Sequence, residues 1–196
     1  MRLSAGELRH RIRSFALPSP SADGPDHLTP AAVLIAVVCA GGEPAVLLTK
    51  RSMTVAVHQG QIAFPGGAVD RADHSFADTA LREAFEEIAL PPDRVEVLGF
   101  MPALETTTGF RIVPVLGLVD GPLSLRPSPD EVDEVFTVSL EELARPGVRR
   151  TRCRMVDGVA LEDRQFETGG RIIWGATGLL LDGFLAGWQQ SAGSPF

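Results

Sequence analysis

The spacing of apolar and polar positions predicts a central helix at residues 77–88. Apolar residues recur there every three or four positions, which is the period of one face of an α-helix. Ser75, with Asp78 three residues later, resembles a capping box that begins a helix. Pro91 and Pro92 end it, because proline cannot continue the hydrogen-bond ladder. The predicted apolar face comprises Ala77, Ala80, Leu81, Ala84, Phe85 and Ile88.

Short runs rich in apolar and β-branched residues predict strands on both sides of this helix. The predicted strands are residues 31–39, 45–49, 62–64, 95–101, 112–119 and 135–138. Residues 4–15 and 172–188 are predicted to form helices near the two ends of the chain, the first capped by Ser4 and Glu7. This order predicts an α/β fold in which a mixed sheet carries helices on both faces.

Composition narrows the class of protein. A chain of 196 residues is long enough for one domain with a substantial core. The net charge of −7 and the lack of a Lys/Arg-rich run argue against a partner that is a nucleic acid or a membrane surface. No apolar stretch reaches the ~18 residues of a transmembrane helix. Cys39 and Cys153 form neither a disulfide framework nor a zinc set, which fits a reducing cytoplasm.

The predicted central helix carries a group of carboxylates. Glu83, Glu86 and Glu87 fall together on the side away from the apolar face. Arg82 stands four residues before Glu86 and is expected to pair with it. Glu83 and Glu87 are left without a partner, so they are the better candidates for Mg²⁺ or Mn²⁺, which prefer oxygen ligands. A solvated acidic helix face is the alternative.

Two neighbouring motifs resemble a known family. The Gly-Gly pair and the stretch REAFEE (residues 82–87) resemble the Nudix box, G-x5-E-x7-R-E-U-x-E-E-x-G-U with U aliphatic. The stretch LLTKRSMTVAVHQGQIAFPGG (residues 47–67) resembles the signature of the branch that hydrolyses coenzyme A. Shorter matches follow at residues 108–109, 113–115, 131–132 and 173–175, so the resemblance covers residues 31–185.

The resemblance implies a Nudix-type α/β/α sandwich spanning residues 31–190, on which an N-terminal helix and linker, residues 1–30, pack. It implies metal ligation by Glu83, Glu86 and Glu87, with Arg82 orienting them. Glu86 is also expected to assist catalysis, and Glu131, on a loop outside the box, is the candidate general base. The substrate-binding candidates are Arg51, His58, Gly66 and Gly67.

The implied reaction is metal-dependent hydrolysis of the pyrophosphate bond of coenzyme A or acyl-coenzyme A. The partner is therefore a small nucleotide-like molecule, and both a monomer and a homodimer stay open. Alternatives are another nucleoside diphosphate derivative such as ADP-ribose or a dinucleotide, a nucleoside triphosphate, or a non-catalytic protein that keeps the fold.

Three departures from the family pattern bear on these expectations. Asp73 stands where the box has its first Glu, and Ala89 replaces its last Gly. Val55-Ala56 stands where the branch has Leu-Arg, which removes a guanidinium suited to a phosphate. Four arginines at 149, 150, 152 and 154 form a basic cluster that is either a contact for a phosphate-rich substrate or a solvated edge strand.

Overall fold

The computed structural model describes residues 3–21, 24–40, 43–53, 59–156 and 159–192. These residues contain eleven strands and four α-helices. The helices are α1 (Ala5–Arg13), α2 (Phe76–Ile88), α3 (Leu140–Leu143) and α4 (Gly175–Ala192), and a 3₁₀ turn spans Pro92–Arg94. The strands are β1 (Thr29–Ala40), β2 (Glu43–Arg51), β3 (Ile62–Ala63), β4 (Gly66–Ala68), β5 (Glu96–Phe100), β6 (Leu104–Glu105), β7 (Phe110–Asp120), β8 (Val132–Ser139), β9 (Arg149–Val156), β10 (Val159–Thr168) and β11 (Arg171–Ile173).

The main sheet is mixed, as the sequence predicts. Its central strands lie in the order β3-β2-β1-β7-β5, while β4, β6 and β8 pair with β1, β7 and β2 respectively. β1 runs parallel to β7 along eleven paired positions and antiparallel to β2. The sequence of β1 is apolar almost throughout because a central strand is covered on both faces.

Helices cover both faces of this sheet. On one face, Leu8 and Ile12 of α1 join Phe184 of α4 in one buried cluster. On the other face, Ala80, Ala84 and Ile88 of α2 form a second cluster with the facing strands. The predicted α/β/α architecture is therefore confirmed, and α1 lies on the face opposite α2. Within the described residues, no helix combines the length and apolarity needed to cross a membrane.

The N-terminal helix is fixed by its cap and by charged side chains. Ser4 and Glu7 form the predicted capping box. The Arg9 Nε donates to Glu96 on β5 at 2.7 Å. The Arg11 guanidinium lies 3.8 Å from the centroid of the Trp188 ring and donates to the Trp188 carbonyl. These contacts join α1 to the sheet edge and to α4.

The C-terminal part differs from the predicted helix at residues 172–188. Ile172 and Ile173 belong to β11, which completes a small three-stranded sheet with β9 and β10. The helix begins only at Gly175, whose φ of 65° is left-handed and favours glycine. Two of the clustered arginines pair with acids on neighbouring elements: Arg149 with Asp182, and Arg150 with Glu167.

Candidate active site

Helix α2 presents its carboxylates from a well-defined position. Its N-cap residue, Ser75, accepts a hydrogen bond from the Asp78 N–H at 3.1 Å. The Asp78 carboxylate accepts from the His74 N–H rather than from Ser75, so the predicted reciprocal box is only half formed. At the other end, Ala89 adopts a left-handed conformation, with φ 55° and ψ 34°. Helices commonly end this way, but usually with glycine.

Arg82 connects four oxygen groups around the helix. It donates to both carboxylate oxygens of Asp73, from Nε at 3.1 Å and from Nη2 at 3.0 Å. Its Nη1 reaches Glu83 at 2.8 Å and Glu86 at 3.1 Å, and its Nη2 reaches the Ala68 carbonyl at 3.1 Å. The hydrogen bond from Arg82 lowers the pKa of Asp73 to about 2. The sequence predicted a pair between Arg82 and Glu86, and the structure adds Asp73, Glu83 and the Ala68 carbonyl as partners.

The glycine pair allows the backbone to approach the helix and the sheet closely. A Cβ on Gly67 would lie 2.4 Å from Oε1 of Glu83, so only glycine lets that carboxylate rest against the backbone here. A Cβ on Gly66 would lie 2.4 Å from the Ala32 carbonyl oxygen of β1. Burial raises the pKa of Glu83, and the Arg82 hydrogen bond partly offsets that rise.

Glu87 is the most buried of the three glutamates, only 3% exposed, although the sequence pattern places it on a polar helix face. Its Oε2 is buried and has no hydrogen-bond partner among the described residues. The cation that pairs with it within the described residues is Arg51, whose Nη1 lies 3.9 Å from Glu87 Oε1 and whose own buried Nε has no partner in the same part of the chain. Burial, reinforced by the charge of Glu83, raises the pKa of Glu87 to about 8.

Backbone hydrogen bonds hold Glu131 beside this cluster. Its N–H donates to the Ser128 carbonyl at 3.0 Å, and its carbonyl accepts from the Ser52 N–H at 2.8 Å. The Ser128 N–H in turn donates to the Glu87 carbonyl at 2.8 Å. The loop therefore joins the end of α2 to the end of β2. The charge of Glu131 contributes to the raised pKa of both Glu83 and Glu87.

The donor set suits a divalent cation. A buried carboxylate oxygen without a partner costs free energy unless a cation or a proton meets it. Glu87 and Glu83 supply hard oxygen donors of the kind that Mg²⁺ and Mn²⁺ prefer. Within the described part of the chain, no group of three or more acidic, His or Cys side chains is arranged closely enough to hold a metal ion. Arg82 takes one oxygen from each of Glu83 and Glu86, Oε1 and Oε2 respectively, so the second oxygen of each carboxylate can face a cation while Arg82 holds the side chain.

The structure brings most of the predicted site residues together. Glu83, Glu86 and Arg82 are in direct contact, and Glu87 meets Arg51. His58, Val55 and Ala56 lie outside the described residues. The sequence did not identify Asp73 as a partner of Arg82, although its position nine residues earlier, at the place of the first box Glu, was the available signal.

Comparisons with known proteins agree with this fold. The NUDIX domain model matches residues 28–157. A Pectobacterium atrosepticum protein named "Uncharacterized Nudix hydrolase NudL" is 44% identical over 140 residues, which cover 71% of this chain and 72% of that protein. A Cronobacter sakazakii protein of the same name is 50% identical over 117 residues, or 60% of each chain.

Solved structures of low sequence identity support the fold alone. The Nudix hydrolase RenU from M. smegmatis has a TM-score of 0.51 and 24% identity, covering 67% of this chain and 86% of its own. A MutT/nudix family protein from Enterococcus faecalis has a TM-score of 0.50 and 19% identity, covering 100% of this chain and 82% of its own.

The α/β/α sandwich and the helix carboxylates beside a glycine pair match the class of hydrolases that act on phosphoric anhydride bonds, the class of the named relatives. The chain belongs to the Nudix family, since the family model covers more than half of it. Nudix hydrolases generally use divalent ions such as Mg²⁺ or Mn²⁺.

Proposed function

We propose that the protein hydrolyses the pyrophosphate bond of coenzyme A or an acyl-coenzyme A. Water adds across one P–O bond of the P–O–P linkage, and the products are 3′,5′-ADP and 4′-phosphopantetheine or its acyl form. The choice of substrate rests on residues 47–67, whose sequence resembles the signature of the coenzyme A branch.

Glu83 and Glu87 are the proposed metal ligands, and Glu86 aids a second ion. A bound Mg²⁺ or Mn²⁺ would neutralise pyrophosphate charge and lower the pKa of the attacking water. Arg82 orients the glutamates through its contacts with Glu83 and Glu86. Since Glu87 has the buried oxygen without a partner, it is the ligand on which the proposal depends most.

The remaining roles belong to residues at the end of β2 and on the adjoining loop. The Arg51 side chain is partly exposed and only loosely paired with Glu87, at 3.9 Å, so it is suited to donate to a phosphate oxygen. Gly66, Gly67 and His58 are assigned to the substrate from the motif alone, and the two glycines lie against Ala32 and Glu83. Glu131 is the proposed general base, because its backbone anchors hold it beside Glu87.

A substrate panel tests the choice of coenzyme A. We expect kcat/KM for coenzyme A to exceed that for ADP-ribose, a dinucleotide and a nucleoside triphosphate by at least ~10-fold, measured with Mn²⁺ and Mg²⁺ in parallel. A preference for ADP-ribose would overturn coenzyme A as the proposed substrate and favour ADP-ribose or a related nucleoside diphosphate derivative. Ala56, where the branch has arginine, would then be the first residue to change, and Ala56→Arg is the matched variant.

A further inference from the structure

A surface cavity of about 360 Å³ lies at the N-terminal end of α2, away from the glutamates. The linker after α1 supplies Ser19 and Pro20, and the start of β1 supplies Pro30. The turn before the helix contributes Val69, and the first helical residue contributes Phe76. This volume is within the range of small-molecule sites, which are about 300–1,000 Å³.

The walls divide into an apolar part and a polar rim. Pro20, Pro30, Val69 and Phe76 form the apolar part. Asp73, His74 and Ser75, together with Ser19 of the linker, form the polar rim. A flat, neutral ring with hydrogen-bonding atoms on its edge fits such a division better than a flexible chain does.

One wall of the cavity is linked to the hydrolytic site by hydrogen bonds through Arg82. The Asp73 carboxylate in its wall accepts from Arg82 at 3.0 Å, and Arg82 donates to Glu83 at 2.8 Å. Along α2, Phe76 and Glu83 are seven residues apart, or about 10 Å at the helical rise of 1.5 Å per residue. A nucleoside diphosphate can span this interval with its phosphates at the glutamates.

We propose that the cavity between the linker and the N-terminus of α2 binds the nucleoside of the substrate. The base packs against Phe76 and Val69, and His74 meets its polar edge. The linker thereby becomes part of the substrate site, although α1 itself lies on the opposite face of the sheet. This inference rests on the proposed function, because it places the pyrophosphate of an adenine-containing substrate at Glu83 and Glu87.

Two variants of the full chain test the assignment. Val69→Trp fills the cavity, and His74→Ala removes a rim group without adding bulk. His27→Ala is the matched control, since it makes the same change at an exposed histidine that does not line the cavity. The probe is adenosine 3′,5′-bisphosphate, titrated by calorimetry without metal, alongside KM and kcat for coenzyme A with Mn²⁺.

The expected result is at least a ~10-fold weaker affinity for the bisphosphate and a similarly higher KM in Val69→Trp, with kcat within about twofold. A smaller change of the same sign is expected in His74→Ala, and none in His27→Ala. Wild-type affinity in both cavity variants would overturn the inference while leaving the hydrolase assignment intact. Binding that depends on the cavity, in a protein that does not cleave coenzyme A, would support the cavity and refute the proposed substrate.

Discussion

Replacing Glu87 by glutamine is expected to stabilise the metal-free protein. Glu87 is 3% exposed, and its Oε2 has no hydrogen-bond partner within the described residues. Burial raises its pKa from 4.5 to about 8, so the folded protein disfavours the charged form. An unfolded chain ionises this group near pH 4.5, and stability is therefore lost as the pH rises from 4.5 towards 8.

The size of the effect follows from that interval. Each pH unit between the unfolded and folded pKa values corresponds to about 1.4 kcal/mol. At pH 7 the upper bound is roughly 3.5 kcal/mol, and rearrangement around Arg51 reduces it, so we expect Glu87→Gln to add about 1–3 kcal/mol. Below pH 4.5 the variant and the wild type are expected to unfold with the same free energy.

Urea unfolding of the chelator-treated protein between pH 4 and pH 9 measures this difference. Glu86→Gln is the matched control, because the Glu86 side chain is 54% exposed and its loss is worth at most ~0.5 kcal/mol. Adding Mn²⁺ is expected to reverse the order, since only the wild type keeps the ligand. A Glu87→Gln variant that is less stable than the wild type at pH 8 without metal would refute the reasoning.

Three further substitutions separate stability from activity. Gly67→Ala is expected to lower kcat by ~10–100-fold, because the added Cβ displaces the Glu83 carboxylate, whereas the melting temperature changes little, since a side-chain end moves more easily than backbone. Ala89→Gly is expected to add about 1 kcal/mol of unfolding free energy, because it relieves a left-handed alanine. Asp73→Asn is expected to cost about 2 kcal/mol at pH 7, through the lost pair with Arg82, and the cost is expected to fade as the pH drops below 3.8 towards 2.

Each of these outcomes has a clear opposite. A fully active Gly67→Ala variant would mean that Glu83 need not rest against the backbone. An Ala89→Gly variant no more stable than the wild type by urea unfolding would mean that the helix end tolerates alanine without strain. Unfolding of Asp73→Asn that differs from the wild type equally at pH 2 and pH 7 would show that its ion pair is not the cause.

The sequence predicted the layers of the fold because local periodicity determines them. The apolar run of β1 and the helical repeat of α2 both appear in the structure as sequence patterns indicate. Predictions failed where distant elements decide burial. Phe85 fits the apolar repeat, yet it is 53% exposed, whereas Ala84 and Ile88 of the same helix are fully buried.

Glu87 is the opposite case, a polar residue of the site that is buried. Helical spacing groups it with Glu83 and Glu86 on a polar face, but β2 brings Arg51 against it and the loop at Ser128 binds its carbonyl. Its burial depends on residues about 36 positions upstream and 41 downstream, which helical spacing does not reveal. The grouping of Arg82 with Glu83 and Glu86 was therefore predictable from motifs, whereas the electrostatics around Glu87 required the tertiary arrangement.

The most direct test of the central claim is to incubate the purified protein with coenzyme A, with and without Mn²⁺ or Mg²⁺, and to identify the products by mass. The account predicts 3′,5′-ADP and 4′-phosphopantetheine only when metal is present, and almost none from Glu87→Gln. Intact coenzyme A in the presence of either metal, under conditions where the protein cleaves another nucleoside diphosphate derivative, would contradict the proposed substrate.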